Sequence, residues 1–346
     1  MTNFIEKNKG YVGLENLGNT CFMNSCLQIM KEIEELNKIV AYKLINKELK
    51  ENIDGVLCLE WYNLNNMMIE NNGIIRPSRF LEVLQKYSKL KNNLLFTGYS
   101  QNDIQEFFIL LTEAIHCSMS FKKKISIIGN AKNEKDILAI DCYKCLSENY
   151  EKEYSPCSEM FQAIHVNYIH GLMSGDKSVK PELYSNLCLP IKYKEQFAKN
   201  IYDCFDIYTK YELLNKENKW YNEKKNMKED AAKYIRFWNF PNILFILLKR
   251  FSFNARSKMN NLIDFPIDNL DLTKYVNGYK PESFKYELFG VCNHSGGLQG
   301  GHYTAFVRNK NNFWLHYNDS RISEIKDKKD LITAKAYCLF YRKKNN

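Results

Sequence analysis

GLENLGNTCFMNSCLQ, residues 13–28, is the stretch on which the reading of this chain turns. Gly13, Gly18 and Asn19 permit tight backbone turns. Beyond them Cys26, Ile29, Met30, Ile33, Leu36 and Val40 recur at helical spacing, predicting a helix that begins close to Thr20 and runs toward Lys43. Cys21 then falls in the first turn, where unpaired N–H groups and the helix dipole favour an anionic sulfur; Cys26, a turn and a half further on, is not so placed. Asn16 can offer a side-chain N–H to the oxyanion of a tetrahedral intermediate, an interaction of about 3–4 kcal/mol when preorganised. Taken singly, a cysteine is a small buried hydrophobe and an asparagine a turn former.

A second stretch supplies what the first lacks. In GGHYTAFVRN (300–309), His302 follows two glycines and opens a strand; NKNN turns the chain, and FWLHYND (313–319) brings Asn318 and Asp319 to the end of the neighbouring strand. A thiol, an imidazole and a carboxamide or carboxylate to orient it are the parts of a thiol hydrolase. Which of Asn318 and Asp319 orients the ring stays open at this level.

Around these stretches, the first third is predicted mostly helical, with RPSRFLEVLQKYS and SQNDIQEFFILLTEAIHC as further helices. In the latter, Ser100 and Asp103 resemble an N-capping pair, and Ile104, Phe107, Phe108, Leu111 and Ile115 form the buried stripe. Residues 121–240 read as an extended β region with loops. The last third turns to strands at 242–251, 284–294, 302–309, 313–319 and 336–343. Helices first and strands later give an α+β protein.

The 346 residues suit one catalytic domain with sub-lobes, and 45% hydrophobic content with 14% aromatics suffices for a sizeable core. The longest apolar run, 243–248, is far below the roughly 20 residues of a membrane helix, so no membrane association is expected. MTNFIEKNKG carries no apolar signal core, and eleven cysteines do not pair evenly; a cytoplasmic or nuclear protein without disulfides is expected. The net charge of +9 reads as a solvated lysine surface, because no aromatic-and-basic motif points to nucleic acid.

NTCFMNSCLQ, QNDIQEF, LLKRF, GGHYTAF and YND, in this order and spread, resemble the cysteine and histidine boxes of the ubiquitin-specific protease family, over about residues 13–341. The resemblance implies a papain-like hand: a helical thumb (13–120), β fingers (121–240) and an antiparallel β palm (241–343). It implies Cys21 as nucleophile, His302 as general base, Asn318 as the residue orienting it, with Asp319 able to share that role, and Asn16 as oxyanion donor. Asp103 and Glu106 are implied as acids meeting the basic tail of ubiquitin, though helix capping would equally explain Asp103. Gly301 and Tyr303, beside the glycine loop 295–301, are implied as further substrate contacts. The implied reaction is hydrolysis after the C-terminal Gly-Gly of ubiquitin on ubiquitinated proteins, by a monomer without a cofactor. The alternatives are a protease for another ubiquitin-like modifier, or a noncatalytic ubiquitin-binding scaffold. Many family members hold a structural zinc with two CxxC pairs at the fingertips. Here only Cys142 and Cys145 form such a pair, upstream of its expected place, and WYNEKKN (220–226) stands where the second belongs, so zinc is not expected.

Overall fold

The computed structural model describes residues 9–251, 258–297 and 300–344. Its helical lobe is built from Cys21–Met30, Glu34–Ile45, Ile53–Glu70, Ser78–Leu90 and Ile104–Met119. Asn52 and Asp103 cap the third and fifth of these, each side-chain oxygen accepting a backbone N–H from the first turn. Ser100 takes no part in the second cap, so the expected pair reduces to Asp103.

The helix predicted from Thr20 to Lys43 is two helices. The first stops at Met30, where the Lys31 ammonium turns inward to donate to the Gly10 carbonyl and the Tyr317 hydroxyl, and the Asn37 amide donates to the Lys31 carbonyl. The periodicity survives the break because Ile33, Leu36 and Val40 still face the core.

Residues 121–240 are less extended than their sequence suggests. The segment opens with helices Glu134–Lys152 and Pro156–Phe161, and strands begin only at Ala163. From there Lys177–Tyr184, Ala163–Gly171, Ala231–Phe237 and Glu212–Leu214 form, in that order, an antiparallel finger sheet.

The palm sheet runs, among the described residues, Arg321–Ile325, Trp314–Asn318, Gly300–Arg308, Lys285–Gly297, Ala336–Lys343, Ile243–Lys249 and Leu187–Pro190. All neighbours are antiparallel except the last pair. Ile243–Lys249 is almost wholly apolar because both its faces are covered. Ile243, Phe245 and Leu247 meet the helical lobe, while Leu244, Ile246 and Leu248 enter a second core on the opposite face. Phe108 locks lobe to sheet, stacking on Phe245 at 4.7 Å and meeting Phe340 edge-on at 5.3 Å. The seam between lobe and sheet brings the helix that starts at Cys21 against the strand that carries His302.

Candidate active site

Left-handed backbone at Gly18 (φ 99°) and Asn19 (φ 57°) swings the chain from the short strand Val12–Leu14 into the helix that starts at Cys21. Gly13 packs so tightly on the turn after Asn318 that a Cβ would lie 2.4 Å from the Ser320 carbonyl oxygen. No side chain caps this helix: the Thr20 hydroxyl is engaged with Leu17 N–H and Asn16 Oδ1. The N–H groups of Cys21 and Phe22 at this open helix start, and that of Tyr303 on the neighbouring strand, act to lower the Cys21 pKa. Burial acts more strongly, and with the Asp319 charge it leaves the thiol above the ordinary cysteine value. The expectation of a thiol acidified by its helix is corrected on this point: Cys21 is 2% exposed, and desolvation outweighs the dipole.

The Tyr303 N–H that reaches Cys21 belongs to the residue after His302, so the thiol lies beside the head of the histidine strand. Ala305 pairs with Tyr317 across the hairpin, which puts Asn318 one position beyond and on the face shared by Thr304 and His302. His302 Nε2 is 2.7 Å from Asn318 Oδ1. A carbonyl oxygen only accepts, so Nε2 carries the proton and Nδ1 of the neutral ring keeps its lone pair.

Asp319, the next residue, is turned elsewhere by left-handed backbone (φ 49°). One carboxylate oxygen accepts from Asn16 Nδ2 at 3.0 Å and the other from Asn24 Nδ2 at 2.8 Å, while its carbonyl accepts from Leu14 N–H. Asn16 Oδ1 in turn accepts from the N–H groups of Gly18 and Thr20 at 3.1 Å each. The two adjacent residues thus have different partners: Asn318 contacts His302, and Asp319 contacts Asn16.

Beside this constellation lies an open cleft of about 830 Å³, lined in part by Asn19, Gln101, Asp103, Glu106, Gly300 and Tyr337. Asp103 serves the helix and the cleft wall together. One oxygen accepts from Gln105 N–H at 2.7 Å, and the other accepts from the Tyr337 hydroxyl at 2.7 Å and the Tyr303 hydroxyl at 3.4 Å. Glu106 is exposed, its pKa raised by partial desolvation and by Asp103. Tyr303, expected as a substrate contact, lines the cleft beside Tyr337 with its side chain mostly buried, and its hydroxyl is turned to Asp103. Gly301 accepts no side chain, since a Cβ would lie 2.2 Å from His294 Nε2. The glycine loop expected at 295–301 includes Leu298 and Gln299, which lie outside the described residues.

Sequence reading missed Gln101. Its carboxamide accepts from Gly301 N–H at 2.6 Å and donates to Gly301 C=O at 2.7 Å, tying the helical lobe to the residue before His302. Asn24 was missed too; Gln101 and Asn24 sit inside the quoted motifs, but only spatial neighbours 200 and 295 residues away reveal what they hold. For metals, Glu113, Cys117 and Glu153 bring ligand atoms within 4.8 Å of one another. The Cys117 thiol is pushed up to about 12 by burial and by Glu113, and it donates to that carboxylate.

A family model described as ubiquitin carboxyl-terminal hydrolase matches residues 12–341. The chain is similar to human ubiquitin carboxyl-terminal hydrolase 21, 31% identical over 96% of this chain and 61% of that protein. It is also similar to ubiquitin carboxyl-terminal hydrolase 4 of Saccharomyces cerevisiae, 30% identical over 96% of this chain and 39% of that protein. It thus spans about three fifths of the first relative's length and about two fifths of the second's. Among solved structures, the SAGA Ubp8/Sgf11/Sus1/Sgf73 DUB module bound to ubiquitin aldehyde superimposes with a TM-score of 0.72 at 23% identity, covering 98% of this chain and 71% of that one. That likeness is one of fold.

Proposed function

Because the chain belongs to the ubiquitin carboxyl-terminal hydrolase family, we propose that it is a thiol-dependent deubiquitinase, cleaving isopeptide or peptide bonds after the C-terminal Gly-Gly of ubiquitin. The observation that carries this reading is that Cys21, reached by the N–H of the residue after His302, accompanies a His302–Asn318 pair and an Asn16–Asp319 pair beside one cleft.

The resting thiol is protonated, since burial and Asp319 raise its pKa. His302 Nδ1 takes that proton as the sulfur attacks the glycine carbonyl, and Asn318 holds the ring so that the imidazolium forms where it is needed. Asn16, fixed by Asp319 through one Nδ2 hydrogen, turns its second toward the oxyanion. His302 then protonates the departing lysine amine, and water attacking the thioester releases free ubiquitin and restores the thiol. Every step uses groups of this chain; the reaction requires no cofactor and no second subunit. Asp103 and Glu106 give the cleft an acidic wall suited to a basic peptide tail, and Gly297, with open space where a Cβ would stand, leaves room along that wall. A reducing compartment, cytoplasm or nucleus, suits a chain whose eleven cysteines are all unpaired.

The test is to incubate the protein with ubiquitin carrying a thiol-reactive C-terminal group, beside Cys21→Ala and beside an equivalent probe built on another ubiquitin-like modifier. Labelling of the parent alone, and by the ubiquitin probe alone, is expected. Absence of labelling at high enzyme concentration would establish a noncatalytic scaffold, and preference for the second probe would reassign the substrate.

A further inference from the structure

The fingertip is where many members of the family hold a structural zinc, and the residues present here do not fit one. Two turns meet there: residues 171–176, between the strands Ala163–Gly171 and Lys177–Tyr184, and residues 222–229, the hairpin of Trp220–Asn222 with Met227–Glu229. Neither turn contains a cysteine or a histidine. Structural zinc is held by four such ligands in their deprotonated form. The expected first pair does not come to the rescue: Cys142 and Cys145 lie on the helix Glu134–Lys152, where Cys142 packs against Ile164, Val166 and Trp238.

What joins the turns is a carboxylate. Glu229 is fully enclosed. One of its oxygens accepts from the Ser174 hydroxyl at 2.6 Å and from Asn222 Nδ2 at 2.8 Å; the other accepts from the N–H groups of Met173 and Ser174 at 3.0 and 2.9 Å. Asn222, equally enclosed, also donates to Asp176 at 2.9 Å, and its own oxygen accepts from the N–H groups of Lys224 and Lys225. Gly171 has no side chain because the carboxylate fills that space: a Cβ there would lie 2.6 Å from Glu229 Oε1. Each carboxylate oxygen faces two donors, so none of its lone pairs is left for a cation.

We propose that the Glu229 carboxylate, bridging Ser174, Met173 and Asn222, replaces the metal as the staple of the fingertip, and that this enzyme's fingers are ordered independently of zinc. Four hydrogen bonds to one anion restrain both turns much as a tetrahedral ion would, with local donors in place of thiolates. On the deubiquitinase reading, the fingers grip the body of ubiquitin while the cleft holds its tail, so loosening the tip weakens substrate capture and spares the chemical step.

The experiment measures zinc per chain by elemental analysis on protein expressed in zinc-supplemented medium. It also measures amide hydrogen exchange over 171–176 and 222–229, with and without a strong chelator, for the parent, Glu229→Gln and the exposed control Glu223→Gln. The amide of Glu229→Gln must turn its NH2 toward two donors and so loses their hydrogen bonds. Zinc well below one equivalent, no chelator effect, and exchange at Met173 and Ser174 faster by roughly tenfold or more in Glu229→Gln alone are expected. One tightly held zinc per chain with chelator-accelerated exchange at the tip overturns the proposal, as does parent-like exchange in Glu229→Gln. If that variant does not fold, the zinc and chelator results on the parent decide. A several-fold rise in KM at constant kcat in Glu229→Gln ties the staple to substrate capture; if no form of the protein turns over ubiquitin conjugates, the functional reading fails while the exchange result stands.

Discussion

Asp319→Asn separates two roles held by adjacent residues. In the parent, one carboxylate oxygen faces the amide of Asn16 and the other the amide of Asn24. Asparagine replaces one of those oxygens with NH2, so one of the two facing donors is left unpaired. It is preferable to alanine because position 319 is left-handed, a conformation asparagine tolerates. A hydrogen bond to a charged acceptor contributes about 1.5–3 kcal/mol, so kcat/KM on a fluorogenic ubiquitin C-terminal amide should fall by roughly 10- to 150-fold. That lies at or below the ~10²- to 10³-fold loss expected when an oxyanion donor is removed outright. The thiol should respond in the opposite sense. The Asp319 charge helps to raise the Cys21 pKa, so its removal lowers that pKa, and iodoacetamide should alkylate Cys21 faster at a fixed neutral pH. Asn16→Ala combined with Asp319→Asn should be no slower than Asn16→Ala alone, because a residue acting through Asn16 then has nothing left to position. Alkylation that slows in step with turnover, or losses that multiply in the double variant, would refute the division of labour and place Asp319 on His302.

Three further outcomes are expected. Gly301→Ala drives a methyl to within 2.2 Å of His294 Nε2 and 2.5 Å of the Ser295 carbonyl; overpacking of this kind costs about 1–3 kcal/mol, so calorimetry should show a lowered Tm together with lost activity. Gln101→Ala releases both main-chain groups of Gly301 and should lower kcat/KM by roughly tenfold or more through misplacement of the histidine strand, with Tm nearly unchanged; unaltered kinetics would show that the bridge is idle. The hydrogen bonds from Ser174 and Asn222 lower the Glu229 pKa from the usual 4.5 to about 2. Because the folded value is the lower one, the stability this group contributes is complete above pH 4.5 and is lost as the pH falls through about 2. The amide resonances of Met173 and Ser174 should therefore hold steady above pH 4.5 and shift only in stronger acid; movement near pH ~5 would contradict the network.

Sequence alone determined what depends on near neighbours. The turn at Gly18–Asn19, the helix starting at Cys21, the Asp103 cap, and the hairpin that brings Asn318 and Asp319 to the strand beside His302 all follow from local geometry that the nearby backbone sets. The strand runs of the last third were legible for the same reason, and with them the α+β class. Tertiary structure decided what depends on distant partners. That Cys21 is desolvated rather than acidified follows from the sheet packed over it. That Asp319 serves Asn16 while Asn318 serves His302 follows because consecutive side chains leave the backbone in different directions, and only the chain from 303 residues earlier shows what lies in each. Gln101, Asn24 and Glu229 each looked like an ordinary polar residue, since a hydrogen bond closed across tens or hundreds of residues leaves no periodicity in the chain that makes it.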